Sequence, residues 1–84
     1  MRVYFITFRS ITPAQRGELL LRNQGFRCVL QRTPRWMQDN GCGYCLRLGT
    51  EQIDEAVELL EQAGIFYRRL YRQDRVGNTV EVER

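Results

Sequence analysis

An α+β fold, with strands and helices in the order β-α-β-β-α-β, is predicted by three features of this 84-residue chain. Two stretches, residues 13–24 and 51–63, place apolar side chains at helical spacing, and each runs into a glycine. Four short runs rich in aliphatic, β-branched and aromatic residues flank them. Shifting the sequence by 39 positions lays Leu20-Leu21 on Leu59-Leu60, Gly25 on Gly64, Phe26 on Ile65 and Phe5 on Tyr44. Each half therefore reads strand, helix, glycine, strand. Two such units in tandem describe the ferredoxin-like split arrangement, a four-stranded antiparallel sheet with two helices on one face. That architecture hosts many functions and selects none.

Each element has its own local reason. Residues 2–8 are almost continuously apolar, β-branched or aromatic, as in a strand buried on both faces. Thr12 then serves as helix cap and Pro13 as first helical residue, with Ala14, Gly17, Leu20 and Leu21 inward and Arg16, Glu18 and Arg22 outward. Gly25 stops that helix, and Phe26–Leu30 forms the second strand. Residues 33–43 are a loop, and Tyr44–Leu48 is the third strand. Thr50 caps a second helix over Glu51–Ala63, whose stripe is Ile53, Ala56, Val57 and Leu60 and whose end is Gly64. Ile65–Tyr71 is the fourth strand. The domain thus occupies residues 1–72, and the polar residues 73–84 form a C-terminal arm, either a frayed hairpin through Gly77-Asn78 or a tail.

Composition narrows the chemistry. With 43% hydrophobic residues and a net charge of +3, the chain folds as one small domain with a thin core. No apolar run approaches the roughly 18–20 residues that cross a bilayer, and the first residues lack the features of a secretory signal. The chain has no histidine and no lysine, because all thirteen basic residues are arginine, and Ser10 is its one serine. A Ser-His-Asp hydrolase, a His-rich zinc hydrolase and Schiff-base chemistry are excluded. Three cysteines remain, an odd count that fits reduced thiols in the cytoplasm better than a disulfide framework. Charge is divided: residues 2–49 carry +6 and residues 50–84 carry −3. Glu51, Asp54, Glu55, Glu58 and Glu61 make the second helix acidic, as a solvated face or a docking surface.

The reactive candidates lie in Asp39-Asn40-Gly41-Cys42-Gly43-Tyr44-Cys45. Gly41 and Gly43 leave the Cys42 sulfur open to approach, and Arg35 is the nearby cation that would favour its thiolate. The alternative is an inert, small hydrophobe. Cys28 alternates with apolar neighbours and reads as core. Cys42-Gly-Tyr-Cys45 has the spacing of thiol–disulfide oxidoreductases, but residues 46–49 alternate like a strand instead of opening a helix. As a metal site it offers too few ligands. No metal and no cofactor are expected.

The opening Tyr4-Phe5-Ile6-Thr7-Phe8, a helix ending in glycine, Thr33-Pro34-Arg35 and then Cys42-Gly43 entering a strand resemble the putative selenium/sulfur carrier protein-like family of short bacterial domains. The likeness spans nearly all of the first 70 residues and closes near Tyr71. It implies a thiol, Cys42, that carries sulfur or selenium as a persulfide-like adduct, with Thr33, Arg35, Gly41 and Gly43 around it and donor and acceptor proteins as partners. Cys45 departs from the family pattern, in which a small or apolar residue stands there, and would act as a resolving thiol. Residues beyond Tyr71 lie outside the likeness.

Three functions compete. The leading one is a relay in which Cys42 accepts a sulfane sulfur or selenium and passes it on, without independent enzymatic turnover. The second is a non-catalytic protein-binding or regulatory module, with a homodimer or the acidic helix as its contact. Nucleic-acid binding comes third: the isoelectric point near 9.1 prompts it, with Phe5, Tyr44, Tyr67 and Tyr71 as the aromatic platform such a sheet requires. Trp36 and Met37 are a plug over the core or a contact anchor.

Overall fold

The computed structural model describes residues 1–35 and 43–83. Five strands and two helices come in the order β1 (Arg2–Thr7), α1 (Ile11–Asn23), β2 (Arg27–Arg32), β3 (Tyr44–Thr50), α2 (Ile53–Gln62), β4 (Leu70–Gln73) and β5 (Thr79–Glu81). They build one antiparallel sheet in the order β2-β3-β1-β4-β5. The α+β class and the first three strands agree with the sequence, but the fourth strand is displaced and the sheet has five strands where four were expected.

The fifth strand arises in the polar arm. Asp74 closes a tight turn, its carboxylate accepting the N–H groups of Val76 at 3.0 Å and Asn78 at 2.8 Å. Gly77 supplies the positive φ of +91° that the turn needs. Thr79–Glu81 then pairs with Tyr71–Gln73, and Arg69 clamps the hairpin by an ion pair to Glu81 at 3.1 Å.

β1 is the central strand. Its register with β3 runs from Arg2 opposite Thr50 to Thr7 opposite Cys45, and on its other side Phe5 faces Tyr71. Alternation along the strands divides the sheet into two faces. Tyr4, Ile6, Cys28, Leu46, Leu48 and Leu70 join Ala14 and Leu21 of α1 and Ala56, Val57 and Leu60 of α2 in the main core. Phe5 and Cys45 form a second, smaller cluster with Val3 and Tyr71.

Both helices close alike. The Phe26 N–H donates to Leu21 O and Gly25 N–H to Arg22 O; Ile65 N–H donates to Leu60 O and Gly64 N–H to Glu61 O. These are paired Schellman turns at equivalent positions, with Gly25 and Gly64 in the left-handed region. The 39-residue repeat is thus a repeat of helix endings. Helix starts differ from expectation. α1 begins at Ile11, and no side chain caps it, so Thr12 and Pro13 sit within the first turn, where a missing N–H costs nothing. The Thr50 hydroxyl accepts the Gln52 N–H at 2.9 Å; it shapes the turn ahead of α2 and leaves the cap position to Gln52.

β4 starts five residues later than Ile65. Thr7 N–H donates to Arg69 O, yet Thr7 O accepts from Arg68 and the Thr7 hydroxyl from Arg69. Two residues thus oppose one, a bulge that ends regular pairing. Ile65 itself is committed to the turn after α2.

Close helix packing depends on Gly17. A Cβ there would lie 3.2 Å from Leu46 Cδ1 and 3.2 Å from Leu60 Cδ2. Gly17→Val is expected to lower stability by about 1–3 kcal/mol through overpacking, read as a fall in the urea midpoint with an unchanged slope.

Candidate functional site

β2 and β3 form a hairpin whose last register pair is Arg32 opposite Tyr44. Beyond it the Thr33 N–H donates to Gly43 O at 2.8 Å. That bond closes a neck at the base of the intervening loop. Thr33 is 7% exposed, so the neck is anchored in the protein body. On its outer side the Arg32 guanidinium lies 5.5 Å from the Tyr44 ring centroid, a cation–π contact of about 0.5–1 kcal/mol. Gly43 has φ +84° and empty space where a Cβ would stand, so glycine is required there by backbone conformation alone.

Of the expected site residues, Thr33 and Gly43 are brought into direct contact. Arg35 comes two residues later, exposed and, among the described residues, without an ion pair. Cys42 and Gly41 lie outside the described residues, as do Trp36 and Met37. The Arg32–Tyr44 contact was not singled out from the sequence. Its signal was there: the two residues stand immediately outside Thr33 and Gly43, and so must pair if the loop closes a hairpin.

The other two thiols are buried on opposite faces of the sheet. Cys28 faces the helices in the main core. Burial first, and then the Glu18 carboxylate, push its thiol from 9.0 up to about 12, against a smaller opposing pull from Arg22. Cys28 is thus core, as its alternation predicts. Cys45 lies on the other face beside Phe5, 0% exposed. No cluster of three metal-ligating side chains occurs among the described residues, and the separation of Cys28 from Cys45 by the sheet keeps these two from sharing an ion.

Glu18 has a further task. Its carboxylate accepts the Leu30 N–H at 2.7 Å, covering an outward donor of the edge strand β2 that could otherwise recruit another strand. The aromatic platform required for stacking RNA bases does not assemble. Phe5 and Tyr71 share a face, with Phe5 5% exposed; Tyr44 points to the other face, and Tyr67 packs against the main core.

The candidate site is therefore the β-hairpin neck of a small α+β domain, with Arg35 two residues beyond Thr33 and a cysteine immediately before Gly43 in the sequence. Comparison with known proteins matches residues 3–72 to the family described as "Putative Se/S carrier protein-like", and the chain belongs to that family. No curated protein and no solved structure matches it. No helix among the described residues is long and apolar enough to cross a membrane.

The Cys28 thiol makes a pH-dependent contribution of definite sign. Between about pH 9 and 12 the unfolded chain loses a proton that the folded chain retains, so stability declines as pH rises through that window. The expected decline approaches about 1 kcal/mol per pH unit. A Cys28→Val variant, in parallel urea titrations, should lack this component, and native Cys28 should resist iodoacetamide until the protein unfolds.

Proposed function

We propose that this domain carries sulfur or selenium on Cys42 between a donor and an acceptor protein. The observation that supports it most is the Thr33–Gly43 hydrogen bond, because it joins the two halves of the family motif at one neck. In the sequence Cys42 directly precedes Gly43, and Arg35 comes two residues after Thr33. Arg35 is the cation offered to a thiolate or to an anionic adduct, and Gly41 and Gly43 flank the sulfur with no side chains of their own. The fold underneath is read as ferredoxin-like, residues 1–72, with the hairpin arm of residues 73–84 appended.

The transfer balances without an external oxidant. The Cys42 thiolate attacks the terminal sulfur of a donor persulfide; the donor S–S bond breaks, a new S–S bond forms on Cys42, and the donor thiolate departs. Delivery to the acceptor repeats the exchange. Cys45 as a resolving thiol would attack the inner sulfur of the Cys42 adduct, forming a disulfide and releasing hydrosulfide. Its complete burial requires that strand β3 loosen at its loop end for that step, which favours a lasting carrier state until a partner docks. Reduced thiols of this kind suit the cytoplasm.

Incubation with a cysteine desulfurase and cysteine should add one sulfur, detected by intact mass and removed by dithiothreitol. Cys42→Ser should abolish the gain, Cys45→Ser should prolong it, and Arg35→Gln should slow loading by about tenfold, the scale of one charge-assisted contact. Failure of the wild-type protein to acquire sulfur from any persulfide donor overturns the relay.

The acidic face of α2 supports a second reading, a protein-binding module in which Cys42 is incidental. Glu55, Glu58 and Glu61 are exposed and, among the described residues, without ion pairs. Retention of every partner by Cys42→Ser, together with loss of partners on Glu55→Arg/Glu58→Arg, would favour it.

A further inference from the structure

At the end of the sheet away from the hairpin neck, a cleft of about 530 Å³ is lined by Arg2, Arg72 and Arg75 together with Glu51 and Asp74. β3 spans the distance between them, running from Tyr44 at the neck to Thr50 opposite Arg2, roughly 20 Å. The convergence of the arginines results from the register. Arg72 is directly opposite Tyr4, and Arg2 stands two residues before Tyr4 on the same face, which makes the two arginines diagonal neighbours within reach of one another. Arg75 comes from the turn after β4.

Arg2, Arg72, Arg75 and the Met1 ammonium outnumber the two acids of this cleft, and both acids have partners of their own. Glu51 pairs with the Met1 ammonium at 3.4 Å, and the Asp74 carboxylate accepts the turn N–H groups of Val76 and Asn78. The three guanidiniums, by contrast, make no ion pair among the described residues. Like charges gathered in one concavity repel, and an anion held among them removes that cost. Guanidinium forks match the oxygens of a phosphoryl group in two-point contacts. The volume exceeds what a bare anion needs and falls within the range of small-molecule sites.

We propose that the Arg2–Arg72–Arg75 cleft binds a phosphorylated small molecule, with its phosphoryl group held by the three guanidiniums. The site is independent of the Cys42 relay and stands or falls without it.

Titration of the full chain with inorganic phosphate and with pyrophosphate, at constant ionic strength and monitored by backbone amide NMR, tests the assignment. Saturable shifts confined to the amides of Arg2, Val3 and residues 72–75 are expected, with tighter binding of pyrophosphate. Arg72→Gln should weaken it about tenfold, while Arg9→Gln, an exposed arginine outside the cleft, should leave it unchanged. Should Arg72→Gln fold poorly, Arg75→Gln in the exposed turn serves the same purpose. Shifts that never saturate, that chloride reproduces, or that persist in Arg72→Gln and Arg75→Gln overturn the proposal. So does a single-stranded RNA oligonucleotide that shifts the same amides when neither phosphate nor pyrophosphate does, since the cleft is then a nucleic-acid contact.

Discussion

β1 is held on four sides at once. β3 and β4 bond to its two edges, the helices cover Tyr4 and Ile6, and Phe5 and Thr7 are buried on the opposite face. A slip of one residue would exchange those two faces, sending Phe5 under the helices and the Thr7 hydroxyl away from the Arg69 N–H it accepts. The register of β1 is therefore strongly specified. It sets β3 through the pairing of Thr7 with Cys45, and β3 sets β2 through the pairing of Tyr44 with Arg32. Only with both in place does Thr33 meet Gly43. The candidate site thus inherits its geometry from a strand that contributes no residue to it.

The thiols of the sheet are distributed by the same pleat. Cys28 falls on the helix face, where desolvation keeps its thiol protonated, and Cys45 falls on the other face beside Phe5. Neither is accessible in the folded protein. Both the family likeness and this enclosure direct attention to Cys42, which lies outside the described residues. A domain without histidine or lysine has few other means of chemistry. The arginine cleft at the far end of the sheet is separate, and the turn that carries Arg75 into it is closed by the N–H groups of Val76 and Asn78 on the Asp74 carboxylate.

Much of this architecture is legible residue by residue. The helical stripes of α1 and α2, the glycines that end them, the doubly buried β1 and the core role of Cys28 all depend on spacing within a few residues, and spacing is what a chain displays before it folds. The site was half legible: Thr33, Arg35 and Gly43 stand out in the motif, whereas the hydrogen bond between Thr33 and Gly43 joins residues separated by the whole loop. Helix starts were misplaced because Thr12 and Thr50 have capping side chains but make no cap; the neighbouring strand ends dictate where each helix can begin. β4 was extended too far toward Ile65 because Thr7, distant in sequence, takes two partners at once.

Local order, then, belonged to the amino-acid sequence: which segments turn helical, where they stop, and which thiol lies among aliphatic neighbours. The fold alone decided the fifth strand, the face on which Tyr44 and Cys45 point, and the gathering of Arg2, Arg72 and Arg75. Periodicity records how a segment relates to itself over one or two turns, whereas a sheet's edges, faces and clefts are created by contacts between segments that only closure of the chain brings together.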